Sequence, residues 1–190
     1  GHIGHPEVEG TAGRVPGGVT VVETVEQIRS LKFTDSEKLA YVTQTTLSVD
    51  DTKKIIEALK IKYPLIKGPD TRDICYATQN RQKSVRELAK CSDVVLVLGN
   101  KNSSNSVRLA EISALTGVPT YRIADKDEIN IELIKEFNVI GITAGASTPE
   151  VLVKDLINFI KKSFSKNITV EILDGAEEKV NFKLPELFND

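Results

Sequence analysis

Residues 94–106 read Val94-Val95-Leu96-Val97-Leu98-Gly99-Asn100-Lys101-Asn102-Ser103-Ser104-Asn105-Ser106, an aliphatic run that passes directly into a polar segment. Consecutive aliphatic residues are typical of a parallel strand that is buried on both faces. Helical spacing resumes after Ser106, where Leu109, Ile112 and Leu115 predict one apolar stripe. The polar segment is therefore predicted to join the carboxyl end of a strand to a helix, which is where open α/β sheets bind ligands.

Short polar side chains occupy the predicted start of this helix, from Ser103 to Ser106. A helix N-terminus presents unpaired N–H groups and the positive end of the helix dipole. Hydroxyl and amide groups on short side chains add donors without excluding an anion by bulk. The segment predicts a phosphate or diphosphate site. A well-capped helix without a ligand is the alternative, because Ser and Asn are also ordinary cap residues.

Two more predicted strands run into polar turns, residues 39–42 into 43–46 and residues 139–143 into 143–148. Because β-rich runs alternate with helical patterns, the sequence predicts an α/β fold with parallel sheets. The turns after parallel strands lie at the same edge of a sheet, so we expect all three polar turns to converge on one cleft. In the last turn, Thr148 is expected to cap a helix that starts at Pro149.

The chain is predicted to divide in the Pro- and Gly-containing segment 63–72. The expected units are a first α/β domain, a second α/β domain, and a C-terminal strand with an acidic tail. Their bounds are 1–71, 72–162 and 163–190. Residues 19–22 predict a strand of the first domain, and residues 168–173 predict an edge strand.

Three ionisable side chains have a pattern that suits chemistry. His5 and Glu7 lie two residues apart in a glycine-rich segment expected to be extended, so both can face one side and relay a proton. The alternative is a structural role, in which His5 binds a backbone carbonyl and Glu7 points into solvent. Cys75 precedes a predicted helix, where a thiol is a better metal ligand or nucleophile. Cys91 is expected to be a small buried apolar residue.

Composition excludes several classes of protein. The net charge of −2, from 25 basic and 27 acidic residues, offers no basic stripe for nucleic acid. No apolar run reaches the roughly 18 residues that a membrane span requires. Two cysteines are too few for a disulfide scaffold and favour a reducing compartment. The chain starts at Gly1 and contains no methionine, so we expect its natural beginning to lie elsewhere.

Together, five segments of this chain resemble the LytB family of iron–sulfur 4-hydroxy-3-methylbut-2-enyl diphosphate reductases. They occur in the family's order over roughly residues 1–160, which makes coincidence implausible. The segments are Gly4-His5-Pro6-Glu7-Val8-Glu9-Gly10-Thr11, Thr43-Gln44-Thr45-Thr46-Leu47-Ser48-Val49-Asp50-Asp51-Thr52, Asp73-Ile74-Cys75-Tyr76-Ala77-Thr78-Gln79-Asn80-Arg81, Lys101-Asn102-Ser103-Ser104-Asn105-Ser106 and Ile142-Thr143-Ala144-Gly145-Ala146-Ser147.

The resemblance implies a reductive dehydration that uses two electrons and a [4Fe–4S] cluster held by three cysteines, of which Cys75 matches one. It implies that Glu7 is the proton donor and that Thr45 takes part in the proton relay beside the substrate hydroxyl. His5 is implied to line the substrate pocket. The residues implied to hold the diphosphate are Ser103, Ser104, Asn105 and Ser147. The products would be isopentenyl and dimethylallyl diphosphates.

The resemblance also implies that two cluster cysteines and one of three similar α/β domains precede Gly1. We therefore expect this chain to hold the second and third domains and to be inactive alone. A ferredoxin or flavodoxin is the implied electron donor, and the bacterial cytoplasm or a plastid-type organelle the implied compartment. The alternatives are a cluster-free diphosphate-binding module or non-catalytic remnant, and a structural α/β domain whose polar turns are only caps.

Overall fold

A computed structural model describes residues 1–34, 38–164 and 167–175. In chain order, its helices and strands are α1 (Pro6–Ala12), α2 (Val25–Ser30), α3 (Val49–Lys62), α4 (Tyr76–Lys90), β1 (Val94–Leu98), α5 (Ser104–Ala114), β2 (Thr120–Ile123), a 3₁₀ turn (Lys126–Glu128), α6 (Ile131–Ile134), β3 (Ile140–Ala144) and α7 (Glu150–Ser163). The α/β class is confirmed.

Strand β1 lies at the centre of a parallel three-stranded sheet with the order β2-β1-β3. Every residue of β1 is fully buried, because side chains alternate between two helix-covered faces. Val95 and Val97 pack against α4 and α5 on one face. Leu96 and Leu98 pack against α7 and the segment around Ile134 on the other. The predicted buried strand is thus confirmed as the middle of a three-layer α/β/α unit.

The chain reverses its direction of travel across the sheet at β1. It passes from β1 through α5 to β2 on one side, and then returns to β3 on the other side of β1. In parallel sheets, a crevice forms at the carboxyl ends of the strands where the order reverses. The loops that follow β1 and β3, residues 99–103 and 145–149, therefore lie together at one edge of the sheet.

The first 71 residues contain helices but no regular sheet among their described positions. The strands predicted at 19–22 and 39–42 are not formed, and within residues 1–34 and 38–71 the only pairing is an isolated parallel bridge between Ala40 and Lys67. Instead, Ile28, Leu59 and Tyr63 form a small core with partly buried neighbours. A β-rich segment becomes a strand only where another strand pairs with it along its length, and neither of these runs has such a partner among the described residues. The division at residues 63–72 stays a prediction.

Three local predictions are also wrong. Leu115 is 86% exposed, because α5 ends at Ala114 and the side chain leaves the buried face. Residues 168–173 are not a strand, since they pair with no neighbouring strand in the described part of the chain. Pro149, rather than Thr148, is the residue before the first turn of α7. The prediction of a loose acidic tail falls on residues 176–190, outside the described residues.

Candidate functional site

Helix α1 begins at the His-Pro-Glu segment, which is not extended as expected. His5 is the N-cap residue, and its Nδ1 accepts a hydrogen bond from the backbone N–H of Glu7 at 3.2 Å. Pro6 occupies the first helical position, where its fixed φ and missing N–H cost nothing. A capping side chain followed by proline is therefore the local reason for a helix, and it places His5 and Glu7 in the same turn.

The imidazole of His5 reaches the start of α5, 99 residues further along the chain. Its Nε2 lies 3.0 Å from Oγ of Ser104. Because Nδ1 accepts the Glu7 N–H, a neutral His5 ring carries its proton on Nε2 and donates it to Ser104. The Ser104 hydroxyl then keeps its own proton for another acceptor, such as a phosphate oxygen.

Ser103 is the N-cap residue of α5, and its hydroxyl is arranged in the same way. Its Oγ accepts hydrogen bonds from the backbone N–H and the hydroxyl of Ser106, at 3.3 and 3.1 Å. With its lone pairs occupied, the Ser103 hydroxyl proton is also left to donate. Ser103 thus performs the capping role of the alternative interpretation and still offers a donor to an anion.

Asn105 is buried without a hydrogen-bond partner within the described part of the chain. The residue is only 5% exposed, and both its amide nitrogen and its amide oxygen lack partners there. A buried polar group without a partner costs about 1–3 kcal/mol, so native proteins usually satisfy it. Asn105 lies in the first turn of α5, next to Ser104. Its position favours a ligand at this helix start.

Two glycines allow the ends of β1 and β3 to close around Ser106. A Cβ atom on Gly99 would lie 2.0 Å from Oγ of Ser106, and one on Gly145 would lie 2.3 Å from the same atom. Ser106 itself is fully buried. Sequence reasoning included Ser106 among the short polar donors but did not single out Gly99 and Gly145 as part of the site, although a glycine directly after a buried strand was the available signal.

Ser147 lies in the turn that follows β3 and is exposed. This turn is tied to the end of β1, because the Gly145 N–H and the Thr148 hydroxyl both donate to the Leu98 carbonyl, at 2.9 and 3.1 Å. The Thr148 hydroxyl therefore donates to Leu98, and its side chain does not cap α7. The tie places Ser147 at the same edge of the sheet as α5, but no hydrogen bond joins it to the other candidates in the residues described.

Glu7 is bound at both carboxylate oxygens by Thr45. The Thr45 backbone N–H donates to Oε1 at 2.8 Å, and its hydroxyl donates to Oε2 at 3.1 Å. A hydroxyl group both donates and accepts, so the second contact can also carry a proton from Glu7 to Thr45. The structure therefore brings the two predicted proton-relay residues into direct contact, 38 positions apart in the chain.

Cys75 lies beside this pair, at the N-terminus of α4. Its thiol is exposed and unpaired, and its backbone N–H donates to the Thr45 carbonyl at 3.0 Å. Cys91 is at the other end of the same helix, about 24 Å away at 1.5 Å per residue. It is exposed rather than buried as expected, because it follows the last turn of α4. The two thiols cannot bind one metal centre.

The thiol of Cys75 suits one position of an iron–sulfur cluster. Iron–sulfur clusters are held by cysteine sulfur, and the exposed side chain of Cys75 is accessible to such a cluster. Among the described residues, no group of three His, Cys, Asp or Glu side chains could hold a metal ion. The residues present thus fit one ligand of such a cluster, and any further ligands have to come from outside this set.

Lys101, which the sequence places beside the polar turn, is engaged elsewhere. Its Nζ lies 2.8 Å from a carboxylate oxygen of Glu128. The hydrogen bond from Lys101 is the main reason that the pKa of Glu128 is lowered, with help from the Ala124 N–H. In return, Glu128 raises the pKa of Lys101. Lys101 therefore braces the loop after β1 and contributes little charge to an anion site.

Two residues of α4 hold the site and were missed as functional candidates. Arg81 donates from Nη1 to the Ala144 carbonyl at 2.9 Å, just before the turn that carries Ser147. Gln82, which is fully buried, bonds to the backbone on both sides of Ser48. Helical spacing alone identifies Gln82 as an inward-facing polar residue, which was the available signal.

Known proteins match this chain over most of its length. The family model described as LytB protein matches residues 1–161. The 4-hydroxy-3-methylbut-2-enyl diphosphate reductase 2 of Bradyrhizobium diazoefficiens is 53% identical over 185 residues, which are 97% of this chain and 59% of that protein. The reductase of Zymomonas mobilis is 52% identical over 185 residues, 97% of this chain and 54% of that protein. The chain thus spans somewhat more than half the length of these relatives.

The solved structure of the E-1-hydroxy-2-methyl-but-2-enyl-4-diphosphate reductase from Plasmodium falciparum has the same fold over the shared region. It superposes with a TM-score of 0.88 at 35% identity and covers 97% of this chain and 58% of that one. Sequence identity above half with curated relatives and a family match over most residues lead to one conclusion. The chain belongs to the LytB family.

Proposed function

We propose that this chain forms the larger part of a reductase that acts on 4-hydroxy-3-methylbut-2-enyl diphosphate. In this reaction, two electrons and two protons replace the allylic hydroxyl with hydrogen and release water, giving isopentenyl and dimethylallyl diphosphates. One observation carries the proposal: His5 and Glu7, in one turn of α1, bind Ser104 and Thr45 respectively. A carboxyl group is thereby held beside a set of donors for an anion.

The diphosphate is assigned to the start of α5. Ser103 and Ser104 keep their hydroxyl protons for it, because other donors already occupy their oxygen lone pairs. The first N–H groups of the helix have no intrahelical partners, and the helix dipole favours a negative charge there. The partnerless Asn105 amide adds a further donor. Ser147, on the neighbouring turn, completes the proposed set.

Glu7 and Thr45 are assigned to proton delivery. The Glu7 carboxyl is held by two bonds from Thr45 and is only partly exposed. When Glu7 is protonated, the Thr45 hydroxyl can accept from it and turn its own proton toward the substrate hydroxyl. This exchange of roles would move a proton across the 3.1 Å contact from Glu7 to Thr45, and from the Thr45 hydroxyl to the leaving group.

Cys75 is assigned to a [4Fe–4S] cluster whose other cysteine ligands come from a domain outside this chain. Such a cluster would pass on two electrons, one at a time, from an external electron donor, and an iron without a protein ligand would polarise the carbon–oxygen bond. Cys75 holds its place through the backbone bond to Thr45, which keeps the thiol near Glu7. A ferredoxin or flavodoxin as the electron donor, and a bacterial cytoplasm or plastid-type organelle as the compartment, remain predictions.

The anion site is tested by calorimetry of the 190-residue chain with inorganic pyrophosphate. We expect binding without any metal, and we expect Ser104→Ala to weaken it by about 10-fold or more, because a hydrogen bond to a charged group is lost. Ser30→Ala, at the exposed end of α2, is the matched control and should bind normally. Lack of binding by the unaltered chain would favour the interpretation of the turns as helix caps only.

The proton role is tested in the complete reductase by Glu7→Gln. The substitution keeps the size of the side chain but removes its proton, so we expect turnover to fall by about 100-fold or more while substrate still binds. Glu9→Gln, on the same helix and exposed, is the control. Normal turnover in Glu7→Gln would remove Glu7 from the mechanism.

The cluster role is tested by anaerobic reconstitution with iron and sulfide. We expect Cys75→Ser to abolish the charge-transfer absorption of the complete protein and Cys91→Ser to leave it unchanged, since Cys91 lies at the far end of α4. The 190-residue chain alone should retain no stoichiometric cluster. A stable cluster in the isolated chain would contradict the assignment of the other ligands to a separate domain.

A further inference from the structure

Gln82 is a fully buried polar side chain whose two amide atoms are both used on another part of the chain. Its Nε2 donates to the Leu47 carbonyl at 2.7 Å, and its Oε1 accepts from the Val49 N–H at 3.1 Å. These backbone groups flank Ser48, the N-cap residue of α3. Gln82 therefore fixes the end of the segment that carries Thr45.

Two more hydrogen bonds hold the start and the middle of this segment, and both come from residues that precede α4. Asp73 accepts the Thr43 N–H at 2.9 Å, and the Cys75 N–H donates to the Thr45 carbonyl at 3.0 Å. Residues 73–82 thus bind the backbone of residues 43–49 at its start, middle and end. Thr45, with Glu7 bound to it, lies in the middle of the segment that these hydrogen bonds hold.

Gln82 shares a helix with Cys75. The two residues are seven positions apart, which is close to two turns, so they lie on the same side of α4 and about 10 Å apart along its axis. Between them, the helix forms a rigid spacer. One of its ends carries the thiol, and the other grips the segment that carries the proposed proton relay.

We propose that Gln82 is a positioning residue that sets the distance of Thr45 and Glu7 from the Cys75 thiol. The proposal rests on the proposed function of that site. Without both hydrogen bonds, the Leu47 carbonyl and the Val49 N–H are left unsatisfied, and the segment is tied only at Asp73 and Cys75. The Thr45 N–H bond to Glu7 then opens more often.

The first test measures amide hydrogen exchange in the 190-residue chain and does not depend on activity. In Gln82→Leu, we expect exchange at Thr45 and Val49 to be at least about 10-fold faster, while the β1 amides exchange as before. Ser113→Ala is the control, because Ser113 is equally buried but bonds to Thr120, away from the segment. Unchanged exchange at Thr45 and Val49 in Gln82→Leu would overturn the proposal.

Gln82→Asn and Gln82→Glu keep the test decisive if the leucine variant does not fold. The asparagine variant retains the amide but is one methylene too short, so Thr45 and Val49 should both exchange faster. The glutamate variant can still accept from Val49 but offers no donor to Leu47 when ionised, so Thr45 should be affected more than Val49. Equal behaviour of both variants and the unaltered chain would contradict the proposal.

The second test measures kcat and KM separately for Gln82→Leu in the complete reductase. A misplaced relay should lower kcat by about 10- to 100-fold with KM nearly unchanged, because the diphosphate donors on α5 are not affected. Cluster absorption should be retained. A change confined to KM would overturn the positioning role. If the unaltered complete protein has no reductase activity, the proposed function fails, and the exchange experiment still decides whether Gln82 positions the segment.

Discussion

β-rich segments form paired strands in one half of this chain but not in the other. In residues 94–144, three strands pair and every residue of β1 is fully buried between helices. In residues 1–71, the comparable runs 19–22 and 39–42 form no strand among the described residues, apart from an isolated bridge between Ala40 and Lys67, and they line a cavity of about 520 Å³. A central strand offers hydrogen-bonding groups on both of its edges, and neighbouring β-rich segments become strands where they pair with it.

The same difference affects how the two halves hold the candidate site. Ser103, Ser104 and Asn105 follow directly from the rigid end of β1. By contrast, His5, Glu7 and Thr45 lie in a half with a small core and reach their places through bonds to Ser104, Cys75 and Gln82. We infer that the sheet positions the proposed anion site, and that hydrogen bonds across the two halves position the proposed proton relay.

The largest expected effect comes from truncating a core side chain in each half. Leu96→Ala should destabilise the chain by up to about 5 kcal/mol, because it removes a side chain that is packed on all sides. Ile28→Ala should cost nearer to about 2 kcal/mol, since many of its neighbours are only partly buried. Urea denaturation measures both free energies of unfolding. An equal loss of stability in the two variants would show that the cores of the two halves are packed equally well.

A smaller effect is expected from adding one methyl group at the site. Gly99→Ala should cost about 1–3 kcal/mol, because the new Cβ collides with buried Ser106 and disturbs its bond to Ser103. Pyrophosphate binding should weaken in parallel. Gly10→Ala is the control in α1: no atom lies within 4 Å of its Cβ position, and it should stabilise the helix by about 0.5–1 kcal/mol. Thermal denaturation distinguishes the two.

Amide exchange should reveal the contrast without any mutation. Amides of Val95–Leu98 are expected to exchange only on global unfolding, because they are hydrogen-bonded and buried. Amides of residues 19–22 should exchange by local opening, at rates at least about 10-fold higher, since they belong to no sheet. Protection of residues 19–22 equal to that of β1 would show that the first half is as cooperative as the second.

The smallest effect concerns exposed ion pairs, which occur in both halves. Lys60 lowers the pKa of Asp70 in the first half, chiefly through its hydrogen bond, and Lys101 lowers that of Glu128 in the second. A carboxyl group whose pKa is lowered in the folded state stabilises the fold at pH values above its ordinary pKa. This stabilisation is lost as the pH falls through the lowered pKa. The pH range in which this stability is lost therefore lies below about 4.5 for Glu128 and below about 3.8 for Asp70.

Unfolding measured from pH 6 to pH 3 in Glu128→Gln and Asp70→Asn tests this sign. Each variant should lose stability less steeply than the unaltered chain as the solution is acidified, because its paired carboxylate is absent. A steeper loss in either variant would show that the pair does not stabilise the folded state. Glu132→Gln, on the exposed surface of α6, provides a comparison for a pair within one helix turn.

Sequence patterns predicted those features that depend on neighbours along the chain. The aliphatic run of β1 and the helix that begins within the polar segment 103–106 are both confirmed. Patterns failed where a distant partner decides the outcome. Residues 19–22 have strand composition but no partner strand, and Thr148 has cap chemistry but donates to Leu98 instead.

By itself, the sequence determined the α/β class, the polar turn at the start of α5 and the motifs that carry the LytB resemblance, because these are local patterns of burial and capping. Only the tertiary structure decided that His5 donates to Ser104, that Thr45 binds both oxygens of Glu7, and that Gln82 grips the Thr45 segment. Those contacts join residues 33 to 99 positions apart. Their geometry depends on how helices pack against one another, which no local pattern specifies.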